Sequence, residues 1–344
     1  MKSETYIVAE EEAGATLAAV LRRCLPGQSW KAIRQLIASR HVLIRKEICL
    51  DDARRLSAGD AVEVRAHTAP LPPGDDAIHI RYSDRDLVVV EKPSGMCTVR
   101  HPSERDWSEQ RKRLSPTLED LVPRILRRVE NRTAAETKGR LRIVQRLDKL
   151  TSGLLVFART VTAESGLGKQ FHRHTVVRRY LAIVVGTPKP GRMATNLARD
   201  RGDGRRGSTD VPGMGKPAVT HVEVLESLGV YSLVSCRLET GRTHQIRIHL
   251  AELGHPVCGE PVYCQRLDGS TIVDASRAPR MALHAAELGF IHPSTGQSMA
   301  WEMPLPADLQ EFWKRLGGKS LVSPATGSPE ARTKKSSEDA SRKA

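Results

Sequence analysis

One stretch of this sequence concentrates groups that can do chemistry: Gln145-Arg146-Leu147-Asp148-Lys149-Leu150-Thr151-Ser152-Gly153-Leu154-Leu155-Val156-Phe157-Ala158. A carboxylate flanked by two cations stands just ahead of Thr-Ser-Gly and an apolar run. An ionised carboxylate held away from water is a nucleophile or a strong base, and small polar groups at the start of a buried strand can hold it rigidly. An Asp in a loop also closes turns and caps helices. On residue type alone both readings stand.

A second stretch, Glu239-Thr240-Gly241-Arg242-Thr243-His244-Gln245-Ile246-Arg247-Ile248-His249, adds cations and imidazoles. Thr240-Gly241 ends a strand-like run. Thr243 is expected to cap a helix with apolar face Ile246, Leu250 and Leu253, stopped by Gly254. Arg247 falls off that face near the helix start. His244 and His249 lack the H-E-x-x-H spacing and no Cys stands in register, so no metal site is read here.

The elements that must position these groups divide the chain. Residues 14–66 read as a small α/β module. Leu17, Val20, Leu21 and Leu25 recur at helical spacing, Ile33, Leu36 and Ile37 repeat the pattern, and short strands follow over His41–Ile44 and Ala61–Val64. Lys31, Arg34, Arg40, Arg45 and Lys46 stud it with positive charge. Residues 67–77 carry Pro70, Pro72 and Pro73 and read as a linker. Residues 78–316 form a larger domain of irregularly alternating strands and helices, which predicts an α+β fold with a mixed, largely antiparallel sheet. In it Leu87–Val90 is a strand running into the turn Lys92-Pro93-Ser94-Gly95, residues 103–116 are a charged loop, and Leu118–Val129 is a helix capped by Thr117. Residues 199–217, with Arg199, Arg201, Arg205 and Arg206, read as a mobile basic loop. Residues 317–344 are poor in apolar groups and read as a disordered tail.

Composition narrows the partner. The 344 residues carry 54 Lys and Arg against 40 Asp and Glu, a formal net charge of +14, which favours a polyanion and nucleic acid first. Aromatic residues are 4%, too few for a binder that works by stacking single strands on many rings. No helix-turn-helix or zinc pattern supports a DNA-binding regulator. Cys24, Cys49, Cys97, Cys236, Cys258 and Cys264 form no C-x-x-C pair, and no signal peptide or membrane span is read, so reduced thiols in the cytoplasm are expected.

Taken together, the motifs resemble those of the RluA-type pseudouridine synthases. R-L-D-x-x-T-S-G-L-L-V-F-A is similar to that family's catalytic motif. Glu91-Lys92-Pro93-Ser94-Gly95-Met96 resembles the loop that precedes it. Arg179-Tyr180-Leu181-Ala182-Ile183-Val184-Val185-Gly186 and Gly215-Lys216-Pro217-Ala218-Val219-Thr220 match two of its strands. The Glu239–His249 stretch, continued through Leu253-Gly254-His255-Pro256 and Gly259-Glu260-Pro261, resembles its third motif. Leu283-His284-Ala285, His292-Pro293 and Pro304-Leu305-Pro306 complete the order, over about residues 15–316. The ending Phe157-Ala158-Arg159 favours this type over the related RsuA type. Residues 30–64 are similar to the S4-like RNA-binding domain. Two positions depart: Gln145 stands where the family has His, and Arg45-Lys46-Glu47 where the S4-like domain has an Asn-Gly turn.

The resemblance implies a set of expectations. The activity is isomerisation of uridine to pseudouridine in structured RNA, without cofactor or metal. Asp148 is the essential carboxylate, Arg247 its ion partner and Tyr180 the residue that faces the extruded uracil. Arg146 fills the space the base leaves, with Lys92, Lys31, Arg34, Arg40 and Arg242 as further RNA contacts. Gln145, Thr151, Ser152, Gly153, His244 and Gln245 support the motifs. Ribosomal RNA is the favoured partner and transfer RNA the second, with the protein a monomer. A binding or assembly factor with a degenerate synthase site is the alternative.

Overall fold

The computed structural model describes residues 3–45, 47–130, 140–201, 205–266 and 268–319. The expected tail beyond residue 319 therefore lies outside the described residues. By its contacts the chain falls into two compact units, one of Met1–Pro72 with His101–Pro116, the other of Pro73–Arg100 with Thr117 onward.

The first unit holds β1 (Glu4–Ile7), α1 (Leu17–Cys24), α2 (Trp30–Ala38), β2 (Val42–Ile44), β3 (Glu47–Ile48), β4 (Ala61–Val64) and α3 (Glu109–Leu114). Its four strands run in the order β1-β4-β2-β3. Thr16 and Ser29 accept the N3 amides of α1 and α2, which fixes where both helices begin. Leu17, Val20 and Leu21 of α1 and Ile33 and Ile37 of α2 pack on Val42, Ile44, Val62 and Val64, so the helical and alternating patterns meet in one core. Two readings need correcting. Residues 103–116 are not all loop: Ser108 caps α3, whose charged residues hid it from a hydrophobic pattern. Arg40 is not on the surface. It is 8% exposed, and its guanidinium donates to the carbonyls of Ala69, Pro70 and Leu114, so it ties backbone and is not free for phosphate.

The second unit is built on β5 (His79–Ser83), β6 (Leu87–Lys92), α4 (Leu118–Val129), β7 (Arg142–Ile143), β8 (Ser152–Ala158), α5 (Val161–His172), β9 (Val177–Val185), β10 (Gly191–Ala198), β11 (Gly207–Ser208), β12 (Lys216–Ser227), β13 (Tyr231–Leu238), α6 (Gln245–Glu252), β14 (Leu283–Ile291), β15 (Ser298–Glu302) and α7 (Ala307–Arg315). Among the described residues eleven strands form one sheet, ordered β11-β10-β12-β13-β9-β14-β8-β6-β5 with β15 on β14 and β7 on β8. All pairings are antiparallel except β8 with β14. The fold is thus α+β with a mixed, mostly antiparallel sheet.

Both faces of the sheet are covered. Val88 and Val90 of β6 and Leu155 and Phe157 of β8 pack with Leu118, Val122 and Ile125 of α4 and Leu309, Phe312 and Trp313 of α7. Their strand neighbours Leu87, Val89, Leu154 and Val156 pack on the other face with Ala163 and Leu167 of α5. This double burial explains why β6 and β8 read as continuous apolar runs and not as alternations. Helix α5 is hard to see in sequence because Gly166 and Gly168 interrupt it. At Gly166 a Cβ would stand 2.6 Å from Pro293 Cβ, so the glycine allows close packing. The expected loop over 199–217 also contains structure, since β11 pairs with Leu197 and Ala198 of β10. Among the described residues no helix is long and apolar enough to cross a membrane.

Candidate active site

Asp148 sits in the segment that leads into β8, and the turn after β6 holds that segment in place. Thr98 Oγ1 donates to the Leu147 carbonyl at 2.8 Å and accepts the Leu147 amide at 3.1 Å. Gly95 N and Lys92 Nζ both donate to the Lys149 carbonyl, at 2.8 and 3.2 Å, and Ser94 Oγ donates to the Leu150 carbonyl at 2.6 Å. The carbonyls on both sides of Asp148 are therefore anchored to residues 94–98 and Lys92. Gly95 makes the turn possible with φ of 87°.

Lys92 was expected to contact RNA, and the structure corrects this. It is 1% exposed and donates to Pro93 O at 2.9 Å and Met96 O at 2.8 Å besides Lys149 O. An ammonium has three N–H groups, so all are used inside the protein. Burial pushes its pKa down to about 7, while the nearby Asp148 charge acts the other way.

The far end of the motif meets β14. Ser152 Oγ lies 3.0 Å from His284 Nδ1, and Gly153 pairs in parallel with Ala285. At Gly153, where φ is 116°, a Cβ would stand 2.2 Å from the Ala285 carbonyl oxygen. Only glycine lets the two strands meet there.

Helix α6 brings the cation. It is capped by His244 in the left-handed region, with φ of 59°, and not by Thr243 as expected. The helix is buried on nearly all sides, so its hydrophobic pattern does not mark one face. Gln245, expected to support the motif, is 2% exposed and donates to Val219 O and Thr220 Oγ1 while accepting from Thr240 Oγ1 and Arg242 N. It welds the helix start to β12.

Arg247 Nη1 reaches Asp148 Oδ2 at 3.3 Å. Its closer partner is Glu260, which accepts from Nε and Nη2 at 2.7 Å each and also from the amides of Val262 and Tyr263. Glu260 stands in the Gly259-Glu260-Pro261 stretch, where its residue type alone assigns it no role. Burial disfavours the Arg247 charge, yet the two carboxylates outweigh it and hold its proton more firmly than in a free arginine. The Tyr263 ring lies 5.1 Å from the guanidinium carbon, and its hydroxyl is 2.7 Å from His244 Nδ1. His244 Nε2 is 3.8 Å from Asp148 Oδ1. Burial lowers the His244 pKa, while the Asp148 charge acts the other way. Tyr263 is thus a site residue that the sequence reading missed; its place after Gly259-Glu260-Pro261 was the available signal.

These groups line a cleft of about 580 Å³, with Gln145, Arg146, Asp148, Thr151, Tyr180, Arg242, His244, Gln245 and Arg247 in its wall. That volume suits one nucleotide. The Asp148 side chain is 23% exposed and Arg247 only 6%, so the carboxylate faces the opening with its cation behind it. Tyr180 is 9% exposed, and burial pushes its phenol up to about 12, so it stays protonated at pH 7. Arg146 is exposed, while the backbone-tied Arg242 donates from Nε to Pro217 O at 2.9 Å. Lys31 and the 66% exposed Arg34 belong to the first unit and are not in this cleft.

A carboxylate and a buried cation beside a protonated phenol, in a cleft of nucleotide size, can offer nucleophilic or acid–base chemistry to a bound nucleotide. Comparison with known proteins agrees. A family model described as RNA pseudouridylate synthase matches residues 86–252. The ribosomal large subunit pseudouridine synthase D of Zymomonas mobilis is 36% identical over 326 residues, 92% of this chain and 98% of that protein. Its namesake from Escherichia coli K12 is 32% identical over 319 residues, 90% and 92% of the two chains. The structure of human RNA pseudouridylate synthase domain containing 4 shares the fold, with a TM-score of 0.54 and 24% identity over 69% of this chain and 92% of that one. With relatives matched nearly end to end, this chain belongs to the RNA pseudouridylate synthases.

Proposed function

We propose that this protein isomerises uridine to pseudouridine in ribosomal RNA, with Asp148 as the essential carboxylate. The observation that carries the reading is the Asp148 carboxylate, partly open to the cleft and backed by Arg247, which Glu260 in turn holds. The names of the relatives favour large-subunit ribosomal RNA as substrate.

The reaction breaks the bond between ribose C1′ and uracil N1, turns the base, and joins C1′ to C5. The C5 proton leaves and N1 gains one, so the product has the mass of the substrate. The target base must first leave its stack, at about a few kcal/mol. In this reading Arg146, exposed at the rim, takes the vacated place. Tyr180 faces the uracil and Asp148 supplies the anionic oxygen at the reacting centre. A low-dielectric site raises the strength of each of these interactions.

Residues 14–66 act in this proposal as an S4-like RNA-binding module. Two capped helices on a small sheet, with Lys31 and Arg34 exposed on the second helix, support it. The protein works as a monomer.

Purified protein is incubated with a transcript of large-subunit ribosomal RNA, which is digested to nucleosides and resolved by chromatography. Conversion of uridine to its isomer is expected with the native chain, and its loss in Asp148→Asn with RNA binding retained. Full activity in Asp148→Asn overturns the assignment. RNA binding by the native chain without any conversion favours a non-catalytic binding factor instead.

A further inference from the structure

Arg178 in β9 is 7% exposed and lines the cleft, yet it differs from the other buried cation there. Arg247 is held by two carboxylates. Arg178 Nη2 donates to the Glu239 carbonyl at 2.8 Å, and the guanidinium lies 5.6 Å from the Phe171 ring. Its Nε is buried without a hydrogen-bond partner among the described residues. Among the described residues its contacts are with a carbonyl and a ring, and none is with a carboxylate. An arginine stays charged in proteins, and a buried charge without a counterion is unfavourable. Such an arrangement is stabilised when an anion arrives.

The surroundings are shaped for one. A Cβ on Gly241 would stand 2.5 Å from Arg178 Nη1, so the glycine leaves room for the guanidinium. Residues two apart on a strand share a face, which puts Arg178 beside Tyr180, about 7 Å along β9. Gln145 lines the same cleft and also carries a buried amide nitrogen, Nε2, without a partner among the described residues. Two unsatisfied donors in a cleft that admits a nucleotide call for acceptor oxygens. The anion that a nucleotide carries is its phosphodiester.

We propose that Arg178 is the receptor for a backbone phosphate of the extruded nucleotide, with Gln145 as a second donor in the same cleft. The inference rests on the synthase reading, since it takes the uracil to lie at Tyr180. A phosphate oxygen accepts from Nε–H in a charge-assisted bond, and the base cannot leave the helix without bringing its phosphate along. The neighbouring Arg179 is not equivalent: its side chain pairs with Glu287 at 2.7 Å.

The test uses the full chain and small probes. Uridine, uridine 3′-monophosphate, uridine 5′-monophosphate and inorganic phosphate are titrated into ¹⁵N-labelled protein. The Arg178 Nε–H resonance is followed, assigned by its loss in Arg178→Lys. One of the two monophosphates is expected to bind about tenfold or more tightly than uridine and to move that resonance, while uridine leaves it in place. Arg178→Met is expected to remove the difference and Arg178→Lys to keep part of it. With ribosomal RNA, Arg178→Met should raise KM more than it lowers kcat and reduce the salt slope of binding by about one. Equal binding of uridine and both monophosphates to the native chain overturns the proposal, as does an unchanged salt slope in a folded Arg178→Met. If Arg178→Met does not fold, the native titration and Arg178→Lys decide. Failure of the synthase reading is visible separately, as a native chain that converts no uridine.

Discussion

The Arg247 guanidinium binds Glu260 more closely than Asp148: two N–H···O bonds of 2.7 Å go to Glu260 and one of 3.3 Å to Asp148. The Glu260 side chain is 1% exposed against 23% for Asp148. The buried pair is therefore Arg247–Glu260, and Asp148 takes the remaining donor on the cleft side. A carboxylate so placed keeps a cation near it without surrendering its oxygens to a bidentate clamp.

Arg247→Met strands the Glu260 charge, and breaking a buried pair by removing one partner costs about 3–5 kcal/mol. Replacing both members by neutral groups is far milder. Arg247→Met with Glu260→Gln is therefore expected to recover most of the stability lost in Arg247→Met, measured by denaturant unfolding, while pseudouridine formation stays absent. Equal destabilisation of the single and double variants would falsify the pairing.

Lys92 separates a structural cation from RNA contacts. Lys92→Met takes the ammonium from the Pro93 and Met96 carbonyls and leaves the Lys149 carbonyl with Gly95 N alone, and an unsatisfied buried group costs about 1–3 kcal/mol. Unfolding should shift accordingly and turnover should fall, because the Lys149 carbonyl next to Asp148 loses an anchor. RNA affinity and its salt slope should not change. Lys31→Ala and Arg34→Ala, on exposed positions, should instead weaken RNA binding and each lower the salt slope by about one. A lowered slope in Lys92→Met would restore Lys92 as a phosphate contact.

Acid stability follows from two buried histidines. Burial pushes His249 down to about 4 and His284 to about 3 from an ordinary 6.5. Between pH 6.5 and 4 the unfolded chain binds protons that the folded chain refuses. Stability is thus fully present above pH 6.5 and lost as pH falls, by up to about 1.4 kcal/mol per pH unit for each group. The prediction is a declining unfolding free energy from pH 6.5 to 4.5, before most carboxylates titrate, and a shallower decline in His249→Gln. A flat profile in the native protein would show that these imidazoles are protonated in the fold.

Much of the site was legible in the chain itself. Asp148, Tyr180 and Arg247 are named by motifs that resemble the family's, helices α1 and α2 by apolar spacing and α4 by its Thr117 start signal, because these depend on neighbours in sequence. Tertiary contact decided the rest. Arg40 and Lys92 are indistinguishable from surface cations until the carbonyls they serve are in place. Helix α3 has no apolar stripe to betray it, and α5 hides behind two glycines, of which Gly166 is explained by the approach of Pro293.

The sequence by itself determined the chemistry on offer: a carboxylate ahead of one strand, a phenol within another and a guanidinium in the first turn of a helix, with a surplus of charge suited to RNA. Only the tertiary structure decided which charges are neutralised. Asp148 and Arg247 are 99 positions apart along the chain, and burial and pairing are properties of the space between them. That space gives Arg247 two carboxylates and Arg178, among the described residues, none, and electrostatic strength depends on this distribution more than on the number of charged residues.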